Sequence, residues 1–310
     1  MDIILFLIGT FFLWLGAELL ITYSIKIASA INISKLFIGL TIVALGTSLP
    51  ELIVNVFASL KGETDIVIGN VIGSNIANIG LVLAFSLFIR KMNLNLDYLN
   101  KDFLLLFFST LAVGLFIYMG KMDFKLAFLL LGMLITYIYV QYLKDENDAN
   151  ENLQNNENYN LKMFFFVFAG SVMLAYGSKL FINGAIGIAE SFNISKIIIS
   201  VTLIALGTSI PELATCVIAA YKNESEVIIG NVLGSNIINL VCVLSISLMI
   251  SGQRGIETVN NLTLSYSGIV IVISFLFIIF CKINMLNRYS AFLFFSIYIF
   301  TVFISVRGFI

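Results

Sequence analysis

Histidine is absent from the 310-residue chain, only two prolines occur, and charged residues make up 11%. Without histidine there is no imidazole metal site, no Ser-His-Asp triad and no histidine proton relay. The three cysteines, Cys216, Cys242 and Cys281, stand singly inside apolar runs. They read as small hydrophobes rather than a disulfide framework. A net charge of −1 argues against a nucleic-acid partner. What the chain does have is apolar residues, 60% of the total, against about half in a soluble domain. The partner implied by that composition is the lipid bilayer. The N-terminus, MDIILFLIGTFFLWLGAELL, lacks a positive n-region and a small-residue cleavage site, so it reads as a retained first span.

Runs of about 20 apolar residues are long enough to span a bilayer. Ten segments qualify, at about 3–23, 36–60, 66–89, 102–120, 124–143, 163–183, 197–221, 227–250, 262–282 and 289–306. Their continuity favours helices over a barrel. The polar break at 144–162 reads as a solvated tether; it has neither the spacing nor the glycine of an EF-hand. A shift of 161 superimposes the two halves without a gap. Residues 41–86 match 202–247 at 25 of 46 positions, including GNVIGSNIANI (69–79) against GNVLGSNIINL (230–240). Five spans per half is an odd number, so the second half enters the membrane from the opposite side. The expected architecture is an all-α integral membrane protein of ten transmembrane helices in two inverted five-helix repeats, 1–143 and 162–310, joined by a linker at 144–161. Six Lys and Arg on the side of the termini against ten on the other place the linker in the cytoplasm and both termini outside.

Both prolines fall at equivalent positions, in GTSLPE (46–51) and GTSIPE (207–212). A proline inside an apolar run removes a backbone donor, and the glycine four residues before it lets the chain deform. The motif therefore describes a helix broken at membrane depth, tolerated only where it is buried in protein or lines a polar cavity. A carboxylate there costs about 2.5–3.5 kcal/mol on insertion scales, which makes Glu51 and Glu212 candidate functional groups. Thr47 and Ser48 share a face with Glu51, with the Ala44 carbonyl a turn below; Thr208, Ser209 and Ala205 do the same for Glu212. In the following spans Asn70, Ser74 and Asn78, and Asn231, Ser235 and Asn239, form stripes at a spacing of four. Asn70 and Asn231 also suit interhelical hydrogen bonding. Gly69 and Gly73 offer close helix approach. Asn75 and Asn236 fall off the stripe and read as packing or helix-end residues, and Glu18 and Lys179 as interfacial side chains. The donors are all hard oxygens, suited to Ca²⁺ or Na⁺ rather than Zn²⁺ or copper. Two carboxylates balance one divalent ion.

At these residues the chain resembles the cation/calcium exchanger superfamily, in particular prokaryotic sodium/calcium antiporters. The paired GTSxPE and GNxxGSN segments look like that family's two repeats. The resemblance implies an antiporter of the cell membrane, not an enzyme, exchanging Ca²⁺ for Na⁺ by alternating access. Its metal ligands would be Glu51, Glu212, Thr47, Ser48, Thr208, Ser209, Ser74 and Ser235, with the carbonyls of Ala44 and Ala205; the spacing of the stripes adds the amides of Asn78 and Asn239 to the candidate set. It implies no cofactor and no protein partner. Where many sodium/calcium members carry an acidic residue this sequence has Asn239, which leaves the site one charge poorer. Calcium/proton exchange on the same fold is the alternative. A channel lacks support from any through-pore motif, and an intramembrane hydrolase lacks an activated nucleophile.

Overall fold

A computed structural model describes residues 1–31, 33–92, 99–148, 161–192, 207–252, 256–257 and 261–308. Among the described residues the regular structure is helical apart from one two-residue strand pair. In chain order the helices are α1 (Asp2–Ala30), α2 (Lys35–Thr47), α3 (Leu49–Lys61), α4 (Thr64–Ile89), α5 (Asn100–Tyr118), α6 (Phe124–Asp148), α7 (Lys162–Ser191), α8 (Ile210–Tyr221), α9 (Ser225–Ser251), α10 (Asn261–Lys282) and α11 (Arg288–Gly308). Among the described residues seven are long and apolar enough to cross a membrane, and α2 with α3 makes an eighth if the bent pair is one span. The apolar part of α6 is shorter, Phe124–Tyr137. Residues 193–206, which include the first part of the expected 197–221 span and Ala205, lie outside the described residues. Helix α6 runs past position 143 to Asp148, because Lys, Asp and Glu continue a helix that the polar composition alone presents as tether.

The layering follows from composition. In α4 and α9 the apolar stretch is 72% and 89% buried, whereas in α1 and α7 it is 28% and 33% buried. Helices α4 and α9 therefore form the centre, and α1 and α7 lie at the periphery, with Leu7, Phe11, Phe165 and Phe168 turned outward while Leu13, Leu20 and Leu174 are buried.

Glycine decides how α1 meets α7. A Cβ at Gly16 would sit 2.8 Å from the Gly170 carbonyl oxygen, and one at Gly177 would sit 2.9 Å from the Leu13 nitrogen. Further along, Gly9 abuts Phe181 and Gly184 abuts Phe6. Positions rise along one helix as they fall along the other, so the two are antiparallel. Small residues at seven-residue intervals let the two backbones touch.

The remaining helices enclose the centre. Helix α10 packs on α5 and the first half of α4, α11 on the second half of α4, and α6 on the second half of α9. The strand pair, Lys121 opposite Glu257 and Met122 opposite Ile256, ties the α5–α6 turn to the chain between α9 and α10.

Local backbone features recur at the 161 offset. Ser48 breaks the first motif at φ −84, ψ 4, and Ser209 precedes α8 at φ −88, ψ 4. Gly62 ends α3 in the left-handed region at φ 75, and Asn223 follows α8 at φ 64. Glycine and asparagine are the residues that accept this conformation readily. After each, the next amide reaches back to Ala58 or Ala219 at 2.9 Å. Asn223 is thereby part of a helix-terminating turn. Helices α4 and α9 each carry a π-helical segment, beginning at Asn78 and Asn239; such segments concentrate at functional sites.

Candidate functional site

The two motifs meet at the centre. Helices α2 and α3 are bent by 46° at Ser48, and Pro50 stands in the first turn of α3, where the missing N–H would have had no helical partner. The discontinuity lies at the serine, and the proline pre-organises the restart. Ser209 and Pro211 repeat the arrangement before α8.

Each threonine reaches into the opposite half. Thr47 Oγ1 donates to Asn231 Oδ1 at 3.1 Å, and Thr208 Oγ1 donates to Asn70 Oδ1 at 2.9 Å. These bonds exchange under the offset of 161. So do the hydroxyl pairs Thr47 with Ser235 at 3.4 Å and Ser74 with Thr208 at 3.2 Å. Asn70 and Asn231 thus have the hydrogen-bonding role the sequence allows them, holding the threonines in place. Ser48 Oγ donates to Glu212 Oε1 at 3.3 Å, joining the first motif to the second carboxylate. The Ala44 carbonyl accepts from the Ser48 amide at 3.0 Å and lies 3.2 Å from Thr47 Oγ1.

Glu51 and Glu212 are both 0% exposed, and neither belongs to an ion pair among the described residues. Both Glu51 carboxylate oxygens, Glu212 Oε2 and Ser209 Oγ have no hydrogen-bond partner. The same is true of Asn78 Oδ1 and of both amide atoms of Asn239. Buried polar atoms are rarely left without partners, and a buried carboxylate is usually paired or bound to a metal. The centre therefore presents inward-facing oxygens, two of its side chains formally anionic and none cationic. That arrangement can hold a dehydrated hard cation. Among the described residues no cluster of three or more His, Cys, Asp or Glu exists, so hydroxyl, amide and carbonyl oxygens would make up most of any coordination shell.

The structure brings together Thr47, Ser48, Ser74, Thr208, Ser235 and Glu212 by direct bonds. Ala205 lies outside the described residues. Gly230 and Gly234 sit against the α2 backbone at Leu36 and Leu40. At Gly69 and Gly73 no described residue lies within 4 Å of an added Cβ; the segment at the offset of Leu36–Leu40, residues 197–201, is outside the described residues.

Asn75 and Asn236 occupy mid-helix rather than helix-end positions. Asn75 Nδ2 donates to the Asn236 carbonyl at 3.2 Å, and Asn78 Nδ2 donates to Asn236 Oδ1 at 3.1 Å. Seventy-five plus 161 is 236, so Asn75 bonds to the residue at its own offset. The sequence signal for this contact is the shared offset of 161 between the two asparagines. Glu18 is also more than an interfacial side chain, since it accepts from Lys222 Nζ at 2.5 Å.

With this geometry in place, comparison with known proteins is direct. The family model described as sodium/calcium exchanger protein matches residues 1–143 and 162–307, and the chain belongs to that family. It is 31% identical over 306 residues to an uncharacterized membrane protein of Methanocaldococcus jannaschii, covering 96% of this chain and 95% of that one. It is 30% identical over 296 residues to the sodium/calcium exchanger MaX1 of Methanosarcina acetivorans, covering 79% of this chain and 82% of the relative. A solved structure of the sodium-calcium exchanger NCX_Mj, soaked with 2.5 mM Na⁺ and 0.1 mM Ca²⁺, aligns with a TM-score of 0.82, 30% identity and 97% coverage of both chains.

Proposed function

We propose that the chain is a secondary antiporter exchanging Ca²⁺ for Na⁺ across a cell membrane, with both ions bound between the GTSxPE motifs. The observation that carries this reading is the pair of fully buried glutamates, free of any basic partner among the described residues and surrounded by hydroxyl and amide oxygens drawn from both halves. Two carboxylates balance one Ca²⁺ or a small group of Na⁺ ions. A site that is costly to leave dianionic in a low-dielectric interior favours obligatory loading, and obligatory loading is exchange.

The architecture is ten spans in two inverted repeats, 1–143 and 162–310, around a linker at 144–161. The antiparallel course of α1 and α7 and the exchanging hydrogen-bond pairs support it. Alternating access is motion of α1 and α7 across the central helices, with the linker cytoplasmic and both termini outside. The ligand set is Glu51, Glu212, Thr47, Ser48, Thr208, Ser209, Ser74, Ser235, Asn78 and Asn239, with the carbonyls of Ala44 and Ala205.

Purified protein in Na⁺-loaded vesicles should take up Ca²⁺ when external Na⁺ is removed. Uptake should be undiminished by a protonophore. Uptake that follows an imposed pH gradient instead, with no need for Na⁺, would establish calcium/proton exchange.

Asn239 bears on selectivity. Its amide atoms have no partner, so Asn239→Asp is expected to change the apparent Na⁺ or Ca²⁺ affinity by about tenfold, the equivalent of roughly 1.4 kcal/mol. Thermal stability in detergent should move little. Unchanged transport kinetics would remove Asn239 from the ligand set.

A further inference from the structure

The two halves differ on one face. Helix α3 buries Glu51, Asn55, Ala58 and Ser59, spaced four, three and one residues apart, so that Glu51, Asn55 and Ser59 stack along the helix toward its C-terminus. Asn55 is 0% exposed and Ser59 7%. Neither amide atom of Asn55 has a hydrogen-bond partner, and neither has Ser59 Oγ. The second half of α9 packs along α3, and its buried Ser245 Oγ is also without a partner.

At the 161 offset the second half has Cys216 and Ala220. There the position one turn beyond the glutamate is satisfied, since Asn231 Nδ2 donates to Cys216 Sγ at 3.2 Å. Burying an amide without partners costs about 2–7 kcal/mol depending on the reference. The second half shows that the fold accommodates a thiol and a methyl group at these positions. Asn55 is not serving as an interhelical tether either, because it bonds to nothing.

The end of the stripe differs in the same direction. Beyond Gly62, Glu63 and Asp65 are exposed and belong to no ion pair among the described residues. In the second half, the counterpart of Glu63, Glu224, is bound to Lys35 at 2.8 Å. Exposed acidic groups just beyond the end of the stripe raise the local concentration of cations there.

We propose that α3 carries an additional cation position one turn beyond Glu51, formed by the Asn55 amide oxygen and the Ser59 hydroxyl, shared with the Glu51 carboxylate and present in the first half only. Its charge type is monovalent: one shared carboxylate among neutral oxygens balances a single alkali ion, whereas Ca²⁺ takes about 6–8 oxygens and more charge. The inference rests on the cation-exchange reading of the central site and adds a position to it.

The test compares wild-type protein in nanodiscs with N55C/S59A, which gives α3 the two residues this chain already carries at 216 and 220, and with N55D. Equilibrium binding is measured separately with radiolabelled Na⁺, radiolabelled Rb⁺ and radiolabelled Ca²⁺. N55C/S59A is expected to bind one monovalent ion fewer per chain, while Ca²⁺ affinity stays within about threefold. N55D, which replaces an unpartnered NH₂ with a charged oxygen, is expected to bind the same ion about tenfold more tightly. The ion whose count falls identifies the occupant. An unchanged count for both Na⁺ and Rb⁺, or no tightening in N55D, overturns the position while leaving the central site standing. Wild-type protein that binds no monovalent ion overturns this inference and the sodium-exchange reading together.

Discussion

Glu51→Gln and Glu212→Gln should each lower Na⁺-driven Ca²⁺ uptake to below about 1% of wild type, with membrane insertion and yield preserved. The magnitude follows from geometry and medium. A unit charge about 4 Å from a cation contributes roughly 4 kcal/mol at an effective dielectric of about 20, and about 1.4 kcal/mol is a factor of ten. Glutamine keeps the shape and one oxygen but not the charge. Folding should not suffer, because both Glu51 oxygens and one of Glu212 make no internal hydrogen bond to lose. The two variants need not be equal: Glu212 accepts from Ser48, whereas neither Glu51 oxygen has a hydrogen-bond partner. Residual flux near wild type in either variant would show that the corresponding carboxylate is not a ligand.

The second large effect belongs to the seam between α1 and α7. Gly16→Val places a branched side chain where even a Cβ comes within 2.8 Å of the Gly170 carbonyl and 2.9 Å of the Leu174 nitrogen. Backbone cannot yield there as a flexible side chain could, so the helices must separate. Overpacking of this kind costs about 1–3 kcal/mol or more, and the apparent melting temperature in detergent should fall by several degrees. On the proposed alternating-access reading, exchange should fall further than stability, because α1 and α7 would move as a packed pair. Gly132→Ala on α6 is the control, since Gly132 is exposed and no described residue lies within 4 Å of its added Cβ. Equal behaviour of the two variants would contradict the close packing.

Much of the centre was legible before any coordinates, for a specific physical reason. Proline, glutamate, threonine and asparagine are costly inside lipid, so their recurrence at a constant offset within apolar runs points to the site, and Thr47, Ser48, Ser74, Thr208 and Ser235 do converge there. What escaped is equally instructive. Asn75 falls off the polar stripe that the spacing defines, yet α4 is buried on most sides and its second face meets Asn236. The glycines of α1 and α7 carry no polar signal, and only the fold shows that they bring two backbones together. Helix α6 continues into a segment whose polarity suggested a tether. The bond from Asn231 to Cys216 could not be foreseen, because it depends on which neighbour a side chain selects once both sides of the helix are occupied.

The pair between Glu18 and Lys222 has no mirror. At the offset of 161, Glu18 becomes Lys179 and Lys222 becomes Lys61, so where one half offers attraction the other offers two ammonium groups. If transport trades the conformations of the halves, the pump handle has a resting side: the observed posture is held by a clasp that its opposite must replace with repulsion. Such a clasp, half in water, is worth no more than about 1 kcal/mol, yet that is enough to weight one facing direction severalfold over the other and to make the machine's two strokes unequal.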